Sequence, residues 1–462
     1  MICDVGQVIQ IDVLPDDVLL GIFDFYAHTN TDLPYSFKRR TERWQSLVHV
    51  CQRWRSLVLG SPRRLNLQLL CTPETPARDT LDVWPALPLI VDGDMISSGM
   101  DNVIAALGQS SRVNQVTLRI SAGWKLEQIL AAMEVPFPEL TNLSLRSVVK
   151  TTPVIPDSFL NGSASRLQYF RLEGIPFPGL PKLLLSAPNL VHLGLFHIPH
   201  SGYISPEAIV ALISLLSSLE SLVLEFESPQ SRPDLETRRP PPSKLYVIPV
   251  LTSLYFKGVT EYLEDLVTGI DAPQLNRIFI TLFNQIDFDT PRLAQFIDRT
   301  PNLAKRDATI QFNDDSTSVE LLSGSITIQI LCREPDWQVS SIEQVCNPSL
   351  HPLSTVEDLY IVHDYLELVW KDDAIENALW SRLLLRFTAV KNLYLSEEFA
   401  PGVTAALQEF VGDRITEVFP NLQNIFVKGY ELSGPFRENI GQLVAARQLS
   451  GHPIAISLWD ED

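Results

Sequence analysis

Histidine side chains are the first candidates for chemistry in this chain. His192, His197 and His200 lie close together in the sequence, a grouping that could suit a metal ion. They straddle a predicted strand and the turn that follows it, and no carboxylate or cysteine lies at ligand spacing from them. We therefore predict ordinary surface or groove histidines and no metal site.

The cysteines form neither a catalytic nor a metal-binding pattern. Five of them are scattered without metal-like spacing, at Cys3, Cys51, Cys71, Cys332 and Cys346. No motif positions a base beside Cys332 or Cys346, and the GxSxG, Walker, GxGxxG and HExxH signatures are absent. We expect no enzymatic activity, no cofactor and no metal, and a reduced cytoplasmic or nuclear compartment.

Composition indicates a folded protein whose net charge disfavours nucleic acid and anionic lipid as partners. The 462 residues exceed one ordinary domain, and 45% are apolar against 20% charged. A formal net charge of −19 repels nucleic-acid phosphates and anionic lipid, so we expect neither nucleic acid nor a membrane as partner. The apolar stretch 208–219 is too short to span a bilayer, and no secretory signal is visible.

A recurring apolar pattern fills most of the chain and must position any binding residues. One apolar residue is followed three and five positions later by two more, as at Leu140, Leu143 and Leu145. The copies begin at Val113, Leu140, Leu167, Leu190, Leu219, Leu251, Leu275, Val356, Val390 and Leu422. Among the first seven, the spacing runs from 23 (Leu167 to Leu190) to 32 (Leu219 to Leu251). Helical segments such as 124–133, 206–217 and 261–270 lie between copies.

This pattern resembles a degenerate leucine-rich-repeat domain, whose period is roughly 20–29 residues. The resemblance implies an α/β solenoid over residues 111–462, a curved parallel sheet with helices outside, and a connector and cap over residues 61–110. The usual polar ladder residue is replaced by Val148, Ile175, Ile198, Val259 and Phe283. Stacking of the repeats must therefore come from apolar packing.

Two segments interrupt the repeat. The repeat pattern is irregular over residues 306–355. Within this segment, residues 306–331 predict two strands separated by an Asn-Asp-Asp-Ser turn, and the alternative is an irregular insertion. Residues 228–248 are rich in proline and charge, which predicts a surface loop or a polyproline ligand. The strand Pro453–Trp459 and the acidic tail Asp460–Asp462 should close the far end.

Residues that alternate with the apolar repeat positions should share the opposite, concave face of the sheet. The candidate binding residues on this face are Arg146, Tyr169, Arg171, Phe196, Tyr255, Lys257, Arg277, Phe279, Tyr360, Tyr394, Phe426 and Lys428. Tyrosine, phenylalanine and arginine are common in binding hot spots, so we predict a groove for a protein segment of acidic character. Alternatively, the aromatic residues pack on one another across a partly buried sheet.

Two apolar helices are predicted near the amino terminus. Residues 14–23 (LPDDVLLGIF) place Pro15 in a first helical turn and acidic residues near the positive end of the helix dipole. Residues 44–58 (WQSLVHVCQRWRSLV) predict one helix that is apolar on two faces. A helix buried on one side needs a single stripe, so this pattern suggests two partners, or else a core helix of an all-α domain.

The order of these helices resembles an F-box over residues 12–60. The repeats and segment 75–91 (TPARDTLDVWPALPLIV) are similar to the expanded F-box families of mushroom-forming fungi. The resemblance implies a small all-α module at residues 1–60 that docks on the Skp-type adaptor of a cullin-RING ubiquitin ligase, while the repeats capture a target protein. The implied adaptor contacts are Leu14, Pro15, Val18, Leu19, Ile22, Phe23, Leu47, Val50, Cys51 and Trp54.

One departure from the family is the connection at residues 27–43, which is longer and more polar than usual. It could carry extra contacts or weaken docking. The alternative function is a repeat scaffold for protein assembly with no role in ubiquitin transfer, its amino-terminal helices serving as a solenoid cap.

Overall fold

The computed structural model describes residues 11–28, 43–95, 99–149, 152–229, 245–286, 288, 290–300, 307–321, 325–346, 351–363, 377–410, 414, 417–428 and 435–459. The chain divides into two compact units, Met1–Phe170 and Arg171–Asp462. Both units are mixed α/β, and their strands run mostly parallel. Most of the connection 27–43, most of the loop 228–248 and the tail Asp460–Asp462 lie outside the described residues.

The first unit begins with helices and continues as alternating strands and helices. Its helices are α1 (Asp16–His28), α2 (residues 43–48), α3 (Gln52–Gly60), α4 (Ala77–Val83), α5 (Met100–Leu107) and α6 (Gly123–Ala132). Its strands are β1 (Leu69–Cys71), β2 (Leu89–Met95), β3 (Val113–Ile120) and β4 (Asn142–Ser147). These strands pair in parallel in chain order. The strand β5 (Tyr169–Glu173) contains the boundary between the units.

The second unit repeats the same alternation over a longer sheet. Its helices are α7 (Leu180–Leu184), α8 (Pro206–Ile213), α9 (Thr260–Thr268), α10 (Pro291–Asp298), α11 (Pro335–Val345), α12 (Asn377–Leu384), α13 (Ala400–Gln408) and α14 (Pro435–Leu449). Its strands are β6 (His192–Ile198), β7 (Ser221–Phe226), β8 (Tyr246–Val247), β9 (Ser253–Gly258), β10 (Ile270–Asp271), β11 (Arg277–Leu282), β12 (Asp307–Phe312), β13 (Ser316–Leu321), β14 (Ile326–Leu331), β15 (Asp358–His363), β16 (Asn392–Leu395), β17 (Asn424–Lys428) and β18 (Ala455–Trp459).

The sheet of the second unit follows chain order except at one point. Its strand order is β6, β7, β9, β11, β14, β13, β12, β15, β16, β17 and β18, while β8 and β10 form a separate parallel pair. Strand β13 is antiparallel to both of its neighbours, β12 and β14. The neighbouring pairs β11 with β14 and β12 with β15 are parallel, as are the pairs from β6 to β11 and from β15 to β18.

The repeated apolar positions build the core, as their period predicted. Each of the ten predicted repeat strands forms, as β3 to β7, β9, β11 and β15 to β17. In β4, for example, Leu143 and Leu145 are fully buried while Arg146 is exposed. The predicted helical segments correspond to α6, α8 and α9. No helix in the described part of the chain is long and apolar enough to cross a membrane.

The prediction of one helix over residues 44–58 is wrong. Two helices, α2 and α3, lie there, because Cys51 adopts an extended conformation and begins α3 as its cap. Its Sγ accepts a hydrogen bond from the Trp54 amide at 3.4 Å. The Arg55 side chain donates to the carbonyl of Val48 at 2.9 Å, so it occupies an acceptor near the carboxyl end of α2.

The segment 306–331 holds three strands where two were predicted. Asn313 closes a tight turn by donating its amide to the carbonyl of Ser316 at 2.8 Å, and β12 and β13 pair as a hairpin. The third strand, β14, buries Ile326, Ile328 and Ile330 on one side. Period-2 alternation marks all three strands, but it says nothing about their direction. The hairpin therefore reverses one strand within an otherwise parallel sheet.

Candidate functional site

The amino-terminal helices of the first unit form a closed apolar core. Leu19 and Phe23 on α1 are fully buried, and the Phe23 and Trp54 rings lie 4.6 Å apart between centroids. Trp44, Leu47 and Val48 on α2 are also buried. These side chains hold the helices together, so the predicted adaptor contacts Leu19, Phe23 and Leu47 have a structural role in the free chain.

Polar contacts fix α3 against the start of α1. The Arg53 guanidinium donates to Asp16 Oδ1 at 2.6 Å and to the carbonyl of Leu14 at 2.7 Å. Arg64 lies 3.4 Å from the Asp17 carboxylate. Asp16 and Asp17 occupy the first turn of α1, where negative charge is favoured by the helix dipole.

A second stripe of α1 faces solvent, and we name it the apolar ledge: Val18, Ile22 and Phe25. These residues are spaced by four and three, so they share one side of the helix. They are 46%, 42% and 73% exposed, respectively. Helix α1 thus carries two apolar stripes, one buried inside the unit and one uncovered.

The remaining predicted adaptor contacts lie just before α1 and around the start of α3. Pro15 and Val50 are exposed, whereas Leu14, Cys51 and Trp54 are half-buried. The indole Nε1 of Trp54 is buried without a hydrogen-bond partner among the described residues. What this arrangement offers chemically is an apolar docking surface on a preformed core.

Thiol and histidine chemistry has little support in the described residues. Burial raises the pKa of Cys71 to about 11 and that of Cys346 to about 12, so both remain protonated near neutral pH. Burial, together with the nearby Arg171, lowers the pKa of His192. No group of three or more His, Cys, Asp or Glu side chains within the described ranges could hold a metal ion.

The second unit carries most of the predicted strand-face residues on one side of its sheet. We call this side the polar face, because its side chains alternate with the buried Leu, Ile and Val positions. The residues placed here are Arg171, Phe196, Tyr255, Lys257, Arg277, Phe279, Tyr360, Tyr394, Phe426 and Lys428. Arg146 and Tyr169 lie on strands of the first unit, exposed and half-buried, respectively.

Basic and aromatic side chains interleave over strands β5 to β11. The guanidinium of Arg171 lies 4.0 Å from the centre of the Phe196 ring and 2.9 Å from the Glu173 carboxylate. Arg277 donates to the Tyr255 hydroxyl at 3.4 Å, and the Tyr255 and Phe279 rings are 6.1 Å apart. These contacts pre-order side chains of the types that dominate protein-binding hot spots.

Aromatic rings stack in register over strands β15 to β17. Tyr360 and Tyr394 lie 4.2 Å apart and Tyr394 and Phe426 4.6 Å apart, each pair within 10° of parallel. Burial raises the pKa of Tyr360 to about 12, helped by its neighbour Tyr394. These aromatic residues therefore pack on one another, as the alternative interpretation predicted. All three rings are half-buried, so each also keeps part of its surface exposed to solvent.

Trp459 belongs to this aromatic group although it was not a predicted binding residue. Its ring lies 5.7 Å from Tyr360 and 5.5 Å from Tyr394, and the Lys428 ammonium lies 5.8 Å from its centre. The sequence feature that could have predicted this is the alternation of Ala455, Ser457 and Trp459 along β18, which pairs with β17. It indicates the polar face once the pairing of β17 and β18 is known.

An amide ladder runs beside the stacked rings. Asn424 donates to Asn392 at 2.7 Å, and Asn392 donates to the Asp358 carboxylate at 2.7 Å. Both asparagines share the polar face with the aromatic residues of their own strands. The ladder ties three neighbouring strands together and keeps the polar groups satisfied.

Comparison with known proteins adds no assignment. No protein-family model matches the chain, and no curated protein matches it.

Proposed function

We propose that this chain is the substrate-recognition subunit of an SCF-type, cullin-RING ubiquitin ligase. In this proposal residues 1–60 are an F-box that docks on a Skp-type adaptor. Residues 111–462 are a degenerate leucine-rich-repeat domain that captures a target protein, and residues 61–110 connect the two. The chain would act in the cytoplasm or the nucleus, without a catalytic residue, cofactor or metal of its own.

The observation that carries the proposal is the apolar ledge beside a closed core. A helix that only capped the repeats would need to bury one stripe, yet α1 buries Leu19 and Phe23 and still exposes Val18, Ile22 and Phe25. Exposed apolar stripes of this kind mark protein-interaction surfaces. The surplus stripe supports docking in preference to a simple cap.

The proposed mechanism is proximity. Bound through the ledge to the adaptor and through the polar face to a target, the chain would raise the effective concentration of target lysines near an active site supplied by another subunit. Its own residues supply only binding. The absence of the short catalytic signatures from the sequence fits this division of labour.

Adaptor binding is the direct test. Purified full-length chain should bind a recombinant Skp-type adaptor, and Val18→Asp with Ile22→Asp should weaken the complex at least about 100-fold. Each buried apolar side chain contributes about 1.5–3 kcal/mol, and about 1.4 kcal/mol is tenfold in Kd. The measurement is biolayer interferometry.

The matched control is the double variant Val135→Asp with Val148→Asp, which alters two exposed valines of the same unit outside the helical module. It should bind as the wild type does. If the wild-type chain binds no adaptor, or if both double variants bind equally, the ubiquitin proposal fails and the repeat-scaffold alternative remains.

A further inference from the structure

One register-aligned row of side chains crosses eight strands of the polar face. From β9 to β17 it consists of Tyr255, Phe279, Thr327, Glu320, Thr309, Tyr360, Tyr394 and Phe426. Two aromatic residues stand on one side and three on the other. Between them lie two threonines and one glutamate.

The three strands between the aromatic groups carry polar side chains in two adjacent rows. We call this area the polar strip; its members are Thr309, Gln311, Ser318, Glu320, Thr327 and Gln329. The reversed strand β13 brings Glu320 to its centre. Four strand spacings separate Phe279 from Tyr360, roughly 19 Å at about 4.8 Å each. That width exceeds the about 10–12 Å diameter of a helix, so a helical or an extended segment fits.

Glu320 is the charged group of this row, and it has no partner within the described part of the chain. It is half-buried, and no hydrogen bond or ion pair joins its carboxylate to a described residue. Neighbouring polar groups are engaged: Gln329 donates to Ser316 at 3.1 Å and accepts from Thr281 at 3.3 Å. The Asp358 carboxylate likewise accepts from Asn392.

The geometry points to a cation from a partner as the group that meets Glu320. We propose that the polar strip binds a protein segment that carries lysine or arginine, its cationic end at Glu320 and its apolar stem toward Phe279 or Tyr360. Lysine and arginine combine a charged tip with an apolar stem that can pack toward aromatic rings. This inference rests on the proposed target-binding role of the polar face and names the chemistry of its target.

The inference refines the expectation of an acidic target. Lys257 on β9 and Arg277 on β11 lie on the other side of the strip from Tyr360, and they suit acidic residues of the partner. Glu320 requires the opposite charge two strands away from β11. The target segment is therefore of mixed charge, with a basic residue at the strip.

Peptide selection tests this chemistry without knowledge of the target. The probe is a phage library of random 12-residue peptides, which in an extended form reach about 40 Å, enough to cross the strip and the aromatic residues on both of its sides. It is panned on the immobilised full-length chain. Enriched peptides are synthesised, and their Kd is measured by fluorescence polarisation against the wild type, Glu320→Gln and Glu397→Gln. Glu397 is exposed beyond β16, so its variant makes the same charge change off the strip.

The expected result is a shared lysine or arginine among the enriched peptides. Glu320→Gln should weaken binding at least about tenfold, as should replacing that basic residue with methionine, whereas Glu397→Gln should change Kd less than about twofold. Glu320→Lys should instead select peptides with an acidic residue at the shared position. Glu320→Gln is nearly isosteric at a half-buried position, and circular dichroism checks that it is folded.

Three outcomes would overturn the inference: no peptide enriched above the unselected library, enriched peptides without a basic residue, or equal affinity of the wild type and Glu320→Gln. The same preparations are tested for adaptor binding. If the wild-type chain binds no adaptor but the peptide experiments give the expected result, only the ubiquitin role is rejected. If the chain binds the adaptor but the peptide experiments do not give the expected result, only the role of the polar strip is rejected.

Discussion

At the scale of the residue, chemically identical side chains on α1 have different roles because of the side they occupy. Phe23 is fully buried against Trp54, whereas Phe25, two residues later, is 73% exposed. Successive helical residues are rotated by about 100°, so two positions are enough to change faces. Burial therefore separates residues that hold the module together from residues available for docking.

This difference predicts opposite phenotypes for two alanine variants. Phe23→Ala should destabilise the amino-terminal module by about 3–5 kcal/mol, because it leaves a cavity in a closed core. Phe25→Ala should change stability by less than about 0.5 kcal/mol while weakening adaptor binding. Hydrogen exchange of the α1 amides reports the first effect, and interferometry reports the second. Equal exchange in both variants would contradict the assignment of the two stripes.

Glu225, on the polar face, predicts a pH dependence. Burial raises its pKa above the ordinary value of 4.5, although His197, Lys257 and Arg171 each lower it. A carboxyl whose folded-state pKa is raised binds its proton more tightly in the folded state. Its contribution to stability is complete below the unfolded-state pKa and is lost as pH rises through the folded-state pKa.

The variant Glu225→Gln should therefore gain melting temperature relative to the wild type as pH rises from about 4 to about 7. Glu397→Gln, which alters an exposed carboxylate, should show a flat difference across the same range. Thermal melts followed by circular dichroism at several pH values measure both. A flat difference for Glu225→Gln would show that its burial does not penalise the charged form.

At the scale of the element, the sequence predicted strands better than their directions or junctions. The period-2 apolar pattern located all ten repeat strands, because burial of alternate residues is a local property. It could not show that β13 runs antiparallel, since direction depends on which neighbours a strand pairs with. The break between α2 and α3 depends on a cysteine cap, and cysteine is not among the common capping residues.

The candidate surfaces, too, were predicted where a local pattern was sufficient and not where strand pairing or helix packing decides. Alternation placed Tyr255, Phe279, Tyr360 and Tyr394 on one face from the sequence alone. The sequence did not predict that Glu320 belongs to this row, because its position depends on how β13 pairs with β12 and β14. On α1, helical spacing alone does not separate the two apolar stripes, because only packing against α3 leaves one of them buried and the other exposed.

A contact between consecutive helices gives the prediction at this scale. The buried Glu264 carboxylate on α9 accepts the amides of Arg292 at 3.0 Å and Leu293 at 2.8 Å, at the start of α10. It therefore satisfies two helix-terminal donors that have no partner within α10. Glu264→Ala should cost about 1–3 kcal/mol, because buried donors then lack an acceptor.

Urea unfolding of the full chain, with hydrogen exchange of the α10 amides, measures this loss. Glu227→Ala, which alters an exposed carboxylate after β7, should stay within about 0.5 kcal/mol of the wild type. Unchanged exchange in α10 would mean that Glu264 does not stabilise the start of that helix.

At the scale of the whole molecule, the two proposed binding surfaces belong to different compact units. The apolar ledge lies in Met1–Phe170, and the polar strip lies in Arg171–Asp462. A receptor that works by proximity needs both surfaces to be occupied at once, and it does not need either ligand to change the affinity of the other. Independence of the two sites is therefore the expected behaviour.

This independence can be measured with a double-variant cycle. Val18→Asp with Ile22→Asp should weaken adaptor binding at least about 100-fold and leave the Kd of a selected basic peptide unchanged. Glu320→Gln should weaken peptide binding at least about tenfold and leave adaptor binding unchanged. In the combined variant the loss in binding of each ligand should equal that of the corresponding parent variant within about 0.5 kcal/mol, as for residues without shared partners. The peptide Kd should also be the same with and without saturating adaptor. A coupling above about 1 kcal/mol would mean that adaptor docking changes the polar strip, and the chain would then be a switched receptor in which the adaptor controls target binding.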